Sequence, residues 1–404
     1  MDIEIRPSRA EGMVKAPPSK SAAHRLLLCA GLAAGRSTVR NVAFSEDILA
    51  TLDVLRALGA EVQIDGDTVT LQGANPFEAS TDTLVSCRES GSTLRFCIPL
   101  FLLSGRPCTL TGKGRLMQRP QSVYESICEK QGLTFEASGN GIRLRGPLQA
   151  GTFAVQGNIS SQFITGLLFA LPLLDRDSRI ELIPPVESRS YLNITVEALK
   201  TFGIAVEWQD ENTLSVPGGQ QYQPKDVTVE GDWSNAAFFS ALEALGDPVE
   251  ITGLGESQQG DRIYQDYFPL LKAGKPTLDV TDCPDLAPIL MALSAALNGC
   301  VLTGTRRLKI KESDRGAAME QELSKLGVRC LLDEDRIEVF PGIHRPTEPI
   351  DGHNDHRIVM AMSVLLTRVG GVIRGAEAVA KSFPDYFEQF ENLKIEVKKH
   401  AARQ

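Results

Sequence analysis

The sequence predicts a mixed α/β (α+β) fold of two domains, each built from three copies of one unit. Three observations lead there. The chain has 404 residues, more than one ordinary core organises, so two domains of roughly 200 residues are expected. An apolar helix, a Gly or Asp turn, a short β-branched strand, a polar loop, a second helix and a Gly-led strand recur six times, at intervals of about 70 residues with one of about 53. Between the third and fourth copies, Gly218, Gly219, Gln220, Gln221 and Pro224 read as a linker.

In chain order, Met1 to Ile5 alternates apolar and charged residues as a strand does, and lacks the apolar core of a signal peptide. The strand after each first helix is expected at Ser37 to Asn41, Pro107 to Thr111, Ser178 to Leu182, Pro248 to Thr252, Cys300 to Thr303 and Val372 to Arg374. Second helices end at Gly59, Gly132, Gly203 and Gly327, where glycine suits a left-handed cap. Hairpin turns follow at Asp65–Gly66, 139–141, 210–212 and 333–335. The fourth copy lacks this hairpin. The sixth ends at Ile395 to Val397 without a second strand, so the Ile3, Ile5 strand is expected to supply the missing edge and make one domain discontinuous. The domains are then 14–227, and 1–13 with 228–404.

Composition narrows the function. A hydrophobic content of 42% with a mean hydropathy of -0.09 indicates a soluble chain. The net charge of -9 opposes a general nucleic-acid or anionic-membrane surface. The eight cysteines include no CxxC pair and lie mostly in apolar runs, which fits a reducing, cytoplasmic setting. Residues 286–305 are uncharged over about a membrane span, but Pro288, Asn298, Gly299 and Gly304 break them into a helix and a strand of the core.

Cations are nonetheless concentrated locally. Lys311, Glu312, Ser313, Asp314 and Arg315 form one run; Lys20, Ser21 and Arg25 follow a Pro17–Pro18 turn; Asp355, His356 and Arg357 open a helical pattern; Lys381 precedes Ser382 to Asp385. Each sits at a turn or helix start, where free backbone N–H groups also bind anions. Taken singly, each has an ordinary reading. Lys20 and Arg25 suit a solvated helix start, and Ser313 or Ser160 with Ser161 suit a cap. Tyr191 suits an amphipathic rim and Asp285 a cap after Pro284, while Arg95 divides evenly between a structural and a functional role. His353 and His356, with Asp351 and Asp355 nearby, could suggest a metal pair, but histidines at i and i+3 without a third partner are common by chance.

The ordered set carries more than its members. Pro18 to Arg25, Ser90 to Arg95, Arg119–Pro120, Ser160 to Gln162, Lys311 to Arg315, Asn354 to Arg357 and Lys381 to Phe387 together resemble the 5-enolpyruvylshikimate-3-phosphate synthase family of enolpyruvyl transferases, over nearly the full length and in family order. The resemblance implies two domains of three βαβαββ-type units. It also implies transfer of the enolpyruvyl group of phosphoenolpyruvate to the 5-hydroxyl of shikimate 3-phosphate, with no metal or organic cofactor, in a monomer. Each substrate carries a phosphate and a carboxylate, a load of negative charge that needs several paired cations.

By the same resemblance, Lys20, Gly91, Arg119, Gln162, Arg315, Arg357 and Lys381 take phosphoenolpyruvate. Lys20, Ser21, Arg25, Ser160, Ser161, Gln162, Ser188, Tyr191, Asp285 and Lys311 take shikimate 3-phosphate. Asp285 is the expected base and Glu312 the expected acid, with Lys20 and His356 sharing proton traffic. Cations contributed by both domains predict a site completed by closure, and the resemblance extends to competition by glyphosate at phosphoenolpyruvate. Glu89, where the family more often has Asn, brings a carboxylate toward the expected phosphate; Arg307 replaces a neutral residue of some relatives.

Two rivals remain. The sister transferase acting on UDP-N-acetylglucosamine carries a reactive cysteine in the loop matching Gly112 to Pro120, and this loop has none, Cys108 lying on the preceding strand. A non-catalytic repeat protein or nucleic-acid end-binding module would not need such cation runs, and aromatic-basic interleaving is missing.

Overall fold

A computed structural model describes residues 1–79 and 84–400, and resolves the repeated unit as a four-stranded sheet with one recurring order. Thr152–Gln156 runs parallel to Ser178–Ile183, which pairs antiparallel with Thr213–Val216 and through it with Glu207–Asp210. Phe153, Ile180 and Leu214 share a row of this ladder and are all buried, as alternation with one covered face requires. Among the described residues, five sheets have this order and a sixth has two strands. The expected strands lie within one residue of those observed, from Arg36–Arg40 to Gly371–Arg374.

The chain divides into two compact units, Lys20–Glu230 on one hand and Met1–Ser19 with the chain from Gly231 onward on the other. The expected boundaries, 13/14 and 227/228, cut through paired strands and are corrected. Gly12–Lys15 stays with Val249–Thr252, and Asp226–Thr228 stays with Arg36–Arg40. Splitting either strand would forfeit its ladder hydrogen bonds. The hairpin missing from the fourth copy is reflected in the two-stranded Gly12–Lys15 and Val249–Thr252 sheet. The terminal strand Asp2–Ile5 joins the sixth copy as expected, but as an inner strand: Ile3 pairs with Ile373 on one side and Lys399 on the other. The edge is Val397–His400.

Inside the Lys20–Glu230 unit, the helices Lys20–Leu32, Gly91–Leu102 and Ser161–Ala170 are buried on nearly every side. In the other unit, Trp233–Ala244, Ala287–Ala296 and His356–Val369 play that part. Their apolar composition all round suits such a position. Residues 286–305 become the Ala287–Ala296 helix and the Cys300–Thr303 strand, and no helix among the described residues is long and apolar enough to cross a membrane. Second helices are amphipathic and end at left-handed glycines, such as Gly132 at φ 68° and Gly327 at φ 79°. Most of the expected site residues therefore sit at helix starts or just before them.

Candidate active site

In the Lys20–Glu230 unit the helix starts are tied together by hydroxyls. His24 Nδ1 contacts Thr51 Oγ1 at 2.7 Å, Thr51 lies 2.8 Å from Thr93 Oγ1, and Thr93 donates to Ser90 Oγ at 2.8 Å. Burial, then Lys20 and Arg25, pull the His24 pKa well below its usual value, so this chain is neutral. Ser90 also caps its helix by accepting from Thr93 N. Lys20 Nζ donates to Asp47 at 2.8 Å.

Arg25 is buried and donates only to neutral oxygens: Thr195 Oγ1 at 2.8 Å, Ser21 O at 2.7 Å and Tyr191 O at 3.1 Å. Burial lowers its pKa to about 10, so it stays charged at neutral pH. Gln162 accepts from Arg95 NH1 at 2.8 Å and donates to Ser92 Oγ at 2.9 Å. Arg95 also holds Pro120 O at 3.1 Å, which fixes both Gln162 and the loop carrying Arg119. Its structural reading is thus supported by geometry. Arg119 lies against Gly91, where a Cβ would fall 2.5 Å from its NH1. Ser160 caps the Ser161–Ala170 helix through Gln162 N. Ser161 is buried beside it, and Ser188 is buried at φ 56°, just ahead of Tyr191. Glu89 leans on the neighbouring loop, its Oε1 being 2.7 Å from where a Gly114 Cβ would lie.

In the second unit, Arg315 is the hub. Only 1% of its side chain is exposed, and it donates to Asp285 Oδ1 at 2.7 Å, Glu312 Oε2 at 2.7 Å and Asp355 Oδ2 at 2.9 Å. Lys311 reaches Asp285 at 3.2 Å and Arg357 reaches it at 3.5 Å. Burial pushes the Asp285 carboxyl up, but Lys311, Arg315 and Arg357 outweigh it and hold it well below the usual range. Burial lowers the Lys311 pKa, with Asp285 opposing. Arg357 NH1 donates to Asn235 Oδ1 at 3.2 Å, and Asn235 is fixed by Asp232. Lys381 Nζ donates to Asn354 O at 2.7 Å. His356 is buried, its Nδ1 lying 3.9 Å from Asp355 Oδ1.

The capping expectation for Ser313 is corrected. Asp314 caps the Arg315–Lys325 helix through Ala317 N, and buried Ser313 donates to Asp355 at 2.9 Å. Sequence reasoning missed Asp47, Thr195, Asn235 and Asp355 as partners that fix the cations. Only Asp355 offered a signal, an acid directly before a helical pattern. Asp261 was missed as well. It is buried, and burial followed by Asp285 and Asp232 raises its pKa to about 7, with Arg357 opposing.

Two units of three repeats, with buried arginines and acids gathered at helix starts, define the enolpyruvyl transferase class. The chain resembles the enolpyruvyl transferase NikO from Streptomyces tendae with a TM-score of 0.74 at 16% identity, covering 98% of each chain. It resembles EPSP synthase from Acinetobacter baumannii with a TM-score of 0.79 at 23% identity, over 98% of this chain and 100% of that one. Such similarity speaks for the fold. The profile of the EPSP synthase (3-phosphoshikimate 1-carboxyvinyltransferase) family matches residues 5–390. Relatives named 3-phosphoshikimate 1-carboxyvinyltransferase from Clostridium kluyveri and Clostridium novyi are 38% and 37% identical, the alignments covering 98% and 97% of both partners. The chain belongs to the EPSP synthase family. It is a transferase of the shikimate pathway, moving the enolpyruvyl group of phosphoenolpyruvate to shikimate 3-phosphate. Cys108, buried with its thiol pushed up to about 12, is no nucleophile of the sister-transferase kind.

Proposed function

We propose that the reaction runs on the Arg315 hub, with Asp285 taking the 5-hydroxyl proton of shikimate 3-phosphate and Glu312 protonating the methylene carbon of phosphoenolpyruvate. The observation that supports this is one guanidinium donating to both carboxylates, each at 2.7 Å. An ionised Asp285 can accept a proton, but three cations make it a weak base. When anionic ligands draw on Lys311, Arg315 and Arg357, their hold on both carboxylates relaxes: the basicity of Asp285 rises, and Glu312 takes from solvent the proton that it then delivers to the methylene carbon.

In this reading phosphoenolpyruvate draws on Lys20, Gly91, Arg119, Gln162, Arg315, Arg357 and Lys381, where planar guanidinium forks suit carboxylate and phosphate. Shikimate 3-phosphate draws on Lys20, Ser21, Arg25, Ser160, Ser161, Gln162, Ser188, Tyr191, Asp285 and Lys311, and Lys20 and His356 assist proton movement. The protein works as a cytosolic monomer without metal or organic cofactor, so EDTA leaves turnover unchanged and sizing gives one chain. Glu312→Gln and Asp285→Asn each lose ~10²-fold or more in kcat while still binding shikimate 3-phosphate in calorimetry. Near-normal turnover in Glu312→Gln would move the acid to His356 or Lys20.

A further inference from the structure

The turn that leads into the His356–Val369 helix is held from outside by a pair of groups the reaction does not use. His353 and Asn354 have φ of 49° and 50°, a left-handed conformation uncommon outside glycine, in which Asn and His are the better-tolerated exceptions. Contacts from the neighbouring helix hold this turn in shape. Glu322, whose side chain is 0% exposed, contacts His353 Nε2 through Oε1 at 2.8 Å. Its Oε2 accepts from Asp351 N at 2.8 Å and pairs with Lys325 Nζ at 2.7 Å. His353 N donates to Asp351 Oδ1 at 2.6 Å.

Glu322 and Arg315 belong to the same helix, Arg315–Lys325. Seven residues make about two turns, so the two side chains leave one face. Arg315 grips Asp355 at 2.9 Å while Glu322 grips Asp351 and His353. One helix face thus clamps both ends of a five-residue turn. The turn delivers Asp355, which accepts from Arg357 N at 2.9 Å, and the Asn354 carbonyl, which accepts from Lys381.

We propose that His353 and Glu322 form a pH-dependent latch that positions Arg357 and Lys381 for phosphoenolpyruvate. The proposal rests on the assignment of those two cations to that substrate. Glu322 raises the His353 pKa above its ordinary value; partial burial opposes this, Asp351 adds to it and Lys325 subtracts. A histidine with a raised pKa contributes fully below its ordinary value of about 6.5, and the contribution is lost as pH rises through the folded value. The latch is therefore tight in mild acid and loosens toward alkaline pH.

The test compares the KM for phosphoenolpyruvate in wild type and His353→Gln, at saturating shikimate 3-phosphate, from about pH 6 to about pH 9. Glutamine keeps a donor without the charge, and the ratio at each pH cancels ionisation of the substrate itself. The wild type is expected to bind ~3-fold more tightly at the acid end, with the ratio converging toward one at the alkaline end and kcat nearly unchanged. NMR should find the His353 imidazole titrating above its ordinary value in wild type and at a lower pH in Glu322→Gln. The protection of the amides of residues 351–357, taken relative to their intrinsic exchange rate at each pH, should fall as His353 loses its proton. A pH-independent KM ratio overturns the proposal. If protection still follows the titration in that case, the fault lies in assigning Arg357 and Lys381 to phosphoenolpyruvate; if protection is flat too, there is no latch.

Discussion

Arg25 and Arg315 are both buried arginines beside the proposed site, yet their surroundings are opposite. Arg25 donates to a threonine hydroxyl and two carbonyls, whereas Arg315 donates to three carboxylates. The first leaves its charge uncompensated for an incoming anion. The second is already neutralised by acids, so an anion there must compete with them, and the displaced carboxylates become free to take protons. On the proposed assignments, the difference suits the Lys20–Glu230 unit to holding a phosphate and the other unit to coupling anion binding to proton transfer.

The largest effect should come from removing the hub. Arg315→Met leaves Asp285, Glu312 and Asp355 without their shared cation, and breaking a buried ion cluster from one side costs ~3–5 kcal/mol. Arg25→Met leaves only neutral acceptors, at ~1–3 kcal/mol. Urea midpoints of the two variants read the contrast, and equal losses would erase it. Turnover should fall ~10³-fold in Arg315→Met. The acid limb should change as well. The depressed pKa of Asp285 gives stability that is present above about pH 4 and lost as pH falls further, and this contribution should shrink in Arg315→Met.

The cations of this contrast were visible in the chain itself. The cations stand in short local runs at turns, so Lys20, Arg25, Arg315, Arg357 and Lys381 stand out in the sequence, and alternating strands such as Ser178–Ile183 fell where expected. What could not be read was who answers each cation. Thr195 is 170 residues from Arg25, and Asn235 is 122 from Arg357. Neither stands out locally, because the contact is made by tertiary packing and no periodicity encodes it. The boundary error has the same origin: nothing local marks a cut at 13/14 as wrong until Val249–Thr252 supplies the strand that pairs with Gly12–Lys15.

A smaller effect separates the units by their response to pH. In the first, His24 has a lowered pKa, so its contribution to stability is present above about 6.5 and declines as pH falls below it. In the second, Asp261 has a pKa raised from about 3.9 in the unfolded chain to about 7. Its contribution is full below the unfolded value and is lost as pH rises through the folded one. Asp261→Asn removes that loss. The variant should gain ~2 kcal/mol on wild type between about pH 5 and pH 8, read by denaturation at both values. Parallel pH profiles for the two proteins would mean Asp261 ionises normally and the units do not differ in this respect.

The smallest and most local effect concerns Gly91, which opens a helix at the proposed phosphoenolpyruvate contact. A methyl group there would first meet Arg119, at 2.5 Å from NH1 and 3.0 Å from Cζ. A guanidinium can swing aside, so the fold should tolerate Gly91→Ala, but on the proposed assignment the displaced arginine serves substrate and inhibitor alike. Arg119 alone therefore predicts equal penalties for phosphoenolpyruvate and glyphosate. If the longer inhibitor also needs the space over Gly91, its inhibition constant should rise ~10-fold or more while the KM for phosphoenolpyruvate rises ~2-fold, since one added methyl in a fitted pocket discriminates on that scale. Glu89, resting against the Gly114 turn, is common to both proteins, so any effect of its carboxylate cancels in the comparison. Inhibition titrated in wild type and variant decides between the two: matched increases would assign the whole effect to Arg119 and remove Gly91 from the inhibitor pocket.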